Sequence, residues 1–213
     1  MKRRARSVSQ QYGTTAKWLH WLAALLVLAM LGAASQFAFT APADRASDVP
    51  GHASIGLILL TLTLLRLAWR WFRPPPAPPT GTPATMVRAA RTSHRLLYAL
   101  ILYQGALGLI MAAYSPVAIR FFNGPNISAL ADGNEAVLTL LRPFHFAGAV
   151  VLAGLVVFHI AGALWHHFIR RDDVLIRMLP FGGLWQRLQA EEAKRLERFP
   201  SRRFANWPKR MPQ

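Results

Sequence analysis

The chain has 213 residues, 53% of them hydrophobic, a formal charge of +16 and no cysteine, with a mean hydropathy of +0.24. Without cysteine there is no disulfide, thiolate metal site, iron–sulfur cluster or c-type haem attachment. The apolar content is too high for an ordinary soluble domain, so the charge points to membrane topology and anionic lipid, not to nucleic acid.

Residues 1–11 form a basic segment containing Lys2, Arg3, Arg4 and Arg6. The first apolar run, about 18–39, is longer than the h-region of a signal peptide and long enough to cross a bilayer, which takes about 20 residues. Cleavage near Ala33-Ala34-Ser35 is the alternative. A second span is predicted over about 52–72. The link from Pro74 to Pro83 holds six prolines and is expected to be extended. The third span covers about 95–114. The loop 115–142 is broken at Gly124-Pro125-Asn126, with a short interfacial helix expected between Ser128 and Leu141. The fourth span covers about 143–168. Beyond Leu179-Pro180, residues 184–198 read as an amphipathic helix within a basic extension, 181–213. Trp18, Trp21, Trp69, Trp71, Tyr114 and Trp165 lie near span ends, where amphipathic aromatics favour the interface.

Charge assigns the sides. The loops after spans one and three carry Arg45, Arg120 and Arg142 against Asp44, Asp48, Asp132 and Glu135. The rest of the chain therefore holds the whole positive excess, and the positive-inside rule places both termini in the cytoplasm. The expected fold is all-α, an integral-membrane four-helix bundle with cytoplasmic N- and C-termini.

Ionisable residues in a span are costly and mark function. His145 and His159 are 14 residues apart, within about 40° of one helix face and about 21 Å apart along the axis. His145 lies near the outer side and His159 nearer the cytoplasm. Topology gives partners at matching depth: His52 for His145, and His20 for His159. Two opposed imidazoles from facing helices can ligate a haem iron, so the four histidines read as axial ligands of two b haems. Gly56 and Gly148 would let a flat macrocycle approach the backbone, with Gly105, Gly108, Gly154 and Gly162 as further candidates; plain helix packing explains each equally well. Zinc is the rival metal, but it needs four convergent ligands, and two ligands about 21 Å apart cannot share one ion. His166 returns to within about 20° of the His159 face, and His94 opens span three on the same side. Both could meet a quinone headgroup, which needs hydrogen-bond donors and proton carriers. Interfacial placement is the alternative for both, and it is the reading for His167. Arg66, Arg142 and Lys17 are candidate partners for haem propionates, with lipid or topology roles as the alternative.

The order of motifs carries a resemblance. It runs Tyr12…His20-Trp21, then His52-x-Ser54-x-Gly56 with Arg66, then His94-x-x-Leu97-Tyr98. It continues His145-x13-His159-x6-His166-His167, Arg171-Asp172 and Leu175-x-Arg177-Met178-Leu179-Pro180. Over about residues 12–180 the chain resembles the prokaryotic cytochrome b561 family, most nearly its small stand-alone di-haem members, which include a superoxide oxidase that passes electrons to ubiquinone. The resemblance implies four helices, two b haems ligated at His20, His52, His145 and His159, and a quinone-proximal histidine at His166. The outer loops lack the positive excess that would draw superoxide. Three readings follow. The first is an oxidoreductase moving electrons between an outer one-electron donor, superoxide included, and ubiquinone. The second is a haem-bearing membrane anchor serving a separate dehydrogenase or hydrogenase, with the 184–198 helix as a docking surface for that redox partner protein. The third is a non-redox helical scaffold or transporter.

Overall fold

A computed structural model describes residues 11–37, 42–131 and 133–184, together with residues 188, 191 and 194. The basic segment 1–10 and most of the 184–198 stretch lie outside the described residues. Four long helices dominate: α1 (Thr14–Phe37), α2 (Pro42–Phe72), α3 (Ala84–Ala113) and α4 (Glu135–Trp165). A five-residue π-helical turn, His166–Arg170, continues α4, and a short helix α5 (Val174–Met178) follows it. All four long helices are apolar enough to cross a membrane.

Each helix starts before its predicted span. Helix α4 starts at Glu135 rather than near residue 143. The Asn134 side chain caps it by accepting from the backbone N–H groups of Ala136 and Val137, and Glu135 complements the helix N-terminus. The interfacial helix expected between Ser128 and Leu141 is therefore not a separate element. Its first part is a 3-10 turn, Ile127–Leu130, and its last residues are the first turns of α4. Pro143 lies inside α4 and Pro50 inside α2. The proline link behaves as its composition predicts, with no regular structure before the turn at Thr80–Gly81, where Gly81 takes a φ of +78°.

The helices pack in chain order: α1 on α2, α2 on α3, and α3 on α4. Opposite helices do not form comparably close interfaces; α4 faces α1 and α2 across the interior. One core cluster joins Ala23, Val27, Leu59 and Leu62; a second joins Ala112, Ile119 and Phe121. Large apolar side chains such as Leu25, Leu64, Val150 and Val157 point outward instead. A soluble bundle would bury them; in a bilayer that surface is matched to its solvent. Thr61 and Thr63 inside the second span bond to their own helix, Thr63 to the Leu59 carbonyl at 2.7 Å.

The two ends of the bundle differ. The terminal face carries the start of α1 and the end of α4. It is knitted by long-range bonds: Trp21 Nε1 donates to the Met178 carbonyl at 2.9 Å, and Arg177 Nη2 to the Ala77 carbonyl at 2.9 Å. The opposite, loop face is covered by residues 115–134. Ile119 there is fully buried, and Ser54 Oγ accepts from the Phe122 backbone N–H at 3.3 Å.

Candidate functional site: two histidine pairs across the bundle

The interior between α4 and its opposite helices is where the histidines meet. His52 on α2 faces His145 on α4, with ring centroids 6.3 Å apart. His20 on α1 faces His159 on α4, with centroids 6.2 Å apart. The first pair lies toward the loop face and the second toward the terminal face. Among the described residues no group of three or more His, Cys, Asp or Glu converges as a site for a bare metal ion.

These distances test whether a haem fits. A metal–imidazole bond of about 2 Å, with about 1.1 Å from that nitrogen to its ring centre, sets two trans imidazole centroids roughly 6.2 Å apart. Both pairs match that value. A direct imidazole–imidazole hydrogen bond would bring the centroids nearer, to about 5 Å. His94 stands at 5.3 Å from His159, within that closer range. It is a neighbour of His159, and the separation leaves no room for an iron between them. The residues present therefore fit an iron held between two imidazoles at each pair.

The glycines divide into two kinds. A Cβ on Gly105 would meet the Leu60 side chain at 2.9 Å, and one on Gly148 would meet Gln104 Oε1 at 2.5 Å. These two let helices approach closely. Gly108 faces the His145 ring, whose Cε1 would lie 3.6 Å from a Cβ there; Gly154 and Gly162 have nothing within 4 Å. A Cβ on Gly56 would touch the Met30 side chain at 3.4 Å.

The surroundings of the two pairs are unlike. At the loop-face pair, Gln104 Nε2 donates to the His145 carbonyl at 2.9 Å, and the carbonyl oxygen of that amide is buried without a partner. At the terminal-face pair the neighbours are ionisable. Arg66 lies over the Tyr98 ring at 5.4 Å, a cation–π contact. Lys17, 4% exposed, donates to Gln11 Oε1 at 3.1 Å. On the loop face Arg142 is exposed and paired with Glu135 at 2.6 Å.

His166 begins the π turn. Its Nδ1 is 2.6 Å from Asp172 Oδ2, and its ring meets Trp165 edge-on at 5.5 Å. His167 packs on Phe168. Sequence reasoning assigned no partner to His166, and it missed the Gln104 bond to α4. The isolated amide of Gln104 in an apolar span was a readable signal. The Asp172 contact was not readable, because residues six apart do not meet on a regular helix.

Comparison with known proteins gives the family. The family model for prokaryotic cytochrome b561 matches residues 11–181. Cytochrome b561 homolog 2 of Escherichia coli K12 is 34% identical over 177 residues, covering 80% of this chain and 92% of that protein. Cytochrome b561 homolog 1 of the same organism is 30% identical, covering 80% and 97%. A Yersinia pestis protein named "Probable superoxide oxidase CybB" is 25% identical over 76% of this chain and 92% of its own. A four-helix membrane bundle with paired interior histidines, matched by this family over nearly its whole membrane domain, belongs to the prokaryotic cytochrome b561 family of bacterial membrane haem proteins that transfer electrons.

Proposed function

We propose that the chain is a di-haem b-type cytochrome carrying electrons across the bacterial inner membrane, between a one-electron donor on the loop face and ubiquinone at the terminal face. The observation that carries this is the pair of imidazole separations, 6.3 Å near one face and 6.2 Å near the other. His52 and His145 hold the outer haem; His20 and His159 hold the inner one. When bound, haem supplies one-electron carriage at its iron, tuned by ligands, burial and nearby charge. The chain's own part is to fix the two sites at different depths, exclude water between them, and provide polar groups where electrons leave. Arg66 and Lys17 would balance haem propionates on the terminal side. His166 meets the quinone headgroup, and His94 adds a second imidazole on that side. The functional unit is residues 12–180, with 1–11 and 181–213 as basic cytoplasmic segments that attract anionic lipid.

Superoxide is the first donor to test, because one relative bears that name. A specific observation favours a second reading. The loop-face Arg142 is paired with Glu135, and the loops of that face carry Arg45, Arg120 and Arg142 against Asp44, Asp48, Asp132 and Glu135. Little free positive charge then steers a small anion. In that reading the chain is a haem-bearing anchor passing electrons between the quinone pool and a separate dehydrogenase or hydrogenase. Purified chain in detergent, given a superoxide source and a water-soluble ubiquinone analogue, separates the two. Superoxide-dependent quinone reduction by the chain alone supports the enzyme. Turnover only with a co-purified subunit supports the anchor, and no haem in a haem-replete preparation defeats both.

A further inference from the structure

The contact between His166 and Asp172 is built by the way α4 ends. On a regular α-helix, residue i+6 sits about 240° around the axis from residue i and about 9 Å further along. The two side chains could not touch. Here the helix widens into the π turn His166–Arg170, and Arg171 takes a left-handed backbone with φ 54°. Such a conformation is unfavourable for a residue with a Cβ, and π turns are frequent at functional sites. The chain folds back, the Asp172 backbone N–H donates to the His166 carbonyl at 3.1 Å, and Asp172 Oδ2 reaches His166 Nδ1 at 2.6 Å.

The carboxylate is held from two further directions. Arg170 Nε donates to the same Oδ2 at 3.3 Å, and the Val174 N–H donates to Oδ1 at 3.2 Å. Arg170 is itself fixed by the Gly81 carbonyl at 3.3 Å and by Met86 Sδ at 3.4 Å. The His166 and Asp172 side chains are each 16% exposed. A carboxylate accepts only, so it fixes hydrogen on Nδ1 and leaves Nε2 as the ring atom that can gain or lose a proton.

We propose that Asp172 is a positioning residue: it orients His166 so that Nε2 passes a proton to a quinone oxygen at the terminal face. This rests on the reading of His166 as the quinone-facing histidine. Reduction of one ubiquinone to ubiquinol takes two electrons and two protons. The electrons come from the reduced protein. One proton leaves His166 Nε2 as an O–H bond forms on the quinone, and the ring remains as the Nδ1–H tautomer that Asp172 holds. Water at that face restores the Nε2 proton and supplies the second proton.

The test uses purified holoprotein, pre-reduced and mixed anaerobically with a short-chain ubiquinone analogue, so the physiological donor is not needed. Loss of the reduced haem absorbance is followed against quinone concentration. Asp172→Asn keeps the shape and an acceptor for the Val174 N–H but removes the charge. It is expected to lower the saturating rate roughly tenfold or more, with half-saturation within about twofold of the parent. In a His166→Gln background the same change should have no further effect, because Asp172 acts through that ring. If Asp172→Asn loses haem, Asp172→Ser takes its place in the same comparison. A parent-like rate in Asp172→Asn beside a slow His166→Gln overturns the positioning role and leaves the quinone reading standing. Equal fold-losses in both backgrounds overturn it too, by making Asp172 merely structural. A parent-like rate in His166→Gln defeats both.

Discussion

The loop-face and terminal-face halves hold equivalent histidine pairs in different settings. Around His52 and His145 the chain supplies neutral contacts: the Gln104 amide, the close approach at Gly148, and a packed loop latched by Ser54. Around His20 and His159 it supplies ionisable groups: His94, Arg66 and Lys17, with the His166–Asp172–Arg170 network beyond them. Buried charge in a membrane is retained only where it is used. In the proposed function the first half would hold a one-electron centre and shield it, and the second would also supply groups that balance charge and handle protons, which a quinone requires and a simple electron donor does not.

The sharpest way to break this contrast is to disable one half at a time. His159→Leu should reduce electron delivery to a ubiquinone analogue by more than about a hundredfold, whichever donor is used. His145→Leu should abolish entry from the loop-face donor, yet leave the remaining haem reducible by a ubiquinol analogue. Stopped-flow spectra of both variants check this. Next in size, Gly148→Leu forces a side chain into Gln104 and Tyr103. It should cost roughly 1–3 kcal/mol of stability, seen as a lower melting temperature and loss of the loop-face haem first. Arg66→Met removes a cation from the terminal-face half. An electron is then less welcome there, so the inner midpoint potential should fall by roughly 60 mV, a tenfold change in a one-electron equilibrium, while the outer one barely moves. Redox titration resolves the two. The smallest effect is expected for Ser54→Ala, which unlatches Phe122 at a cost of about 1 kcal/mol. Faster proteolysis within 119–126, with unchanged haem content, is the expected result.

Much of this contrast was legible in the residue order. Apolar length alone marks four spans, and α-helical phase puts His145 and His159 on one face of α4. Depth then nominates His52 and His20, because each neighbouring helix enters from a known side. What escaped the sequence was whatever depended on departures from a regular helix. Asn134 extends α4 past Pro143, which looked like a helix start. The π turn and left-handed Arg171 bring Asp172 onto His166, which no fixed period encodes. His94 was readable as a histidine on the correct side, but its place against the His159 ring depends on how α3 packs beside α4. Short-range periodicity carries no information about that rotation.

The central claim is that each chain holds two b haems, each between two interior histidines. Haem counting on the purified full chain, expressed with excess haem, tests it most directly when His145→Leu and His20→Leu are measured beside the parent. Two b haems in the parent and one in each variant, with the surviving haem spectrally distinct between the two, is the predicted result. A parent with one haem or none, or a single substitution that leaves both haems bound, would contradict it.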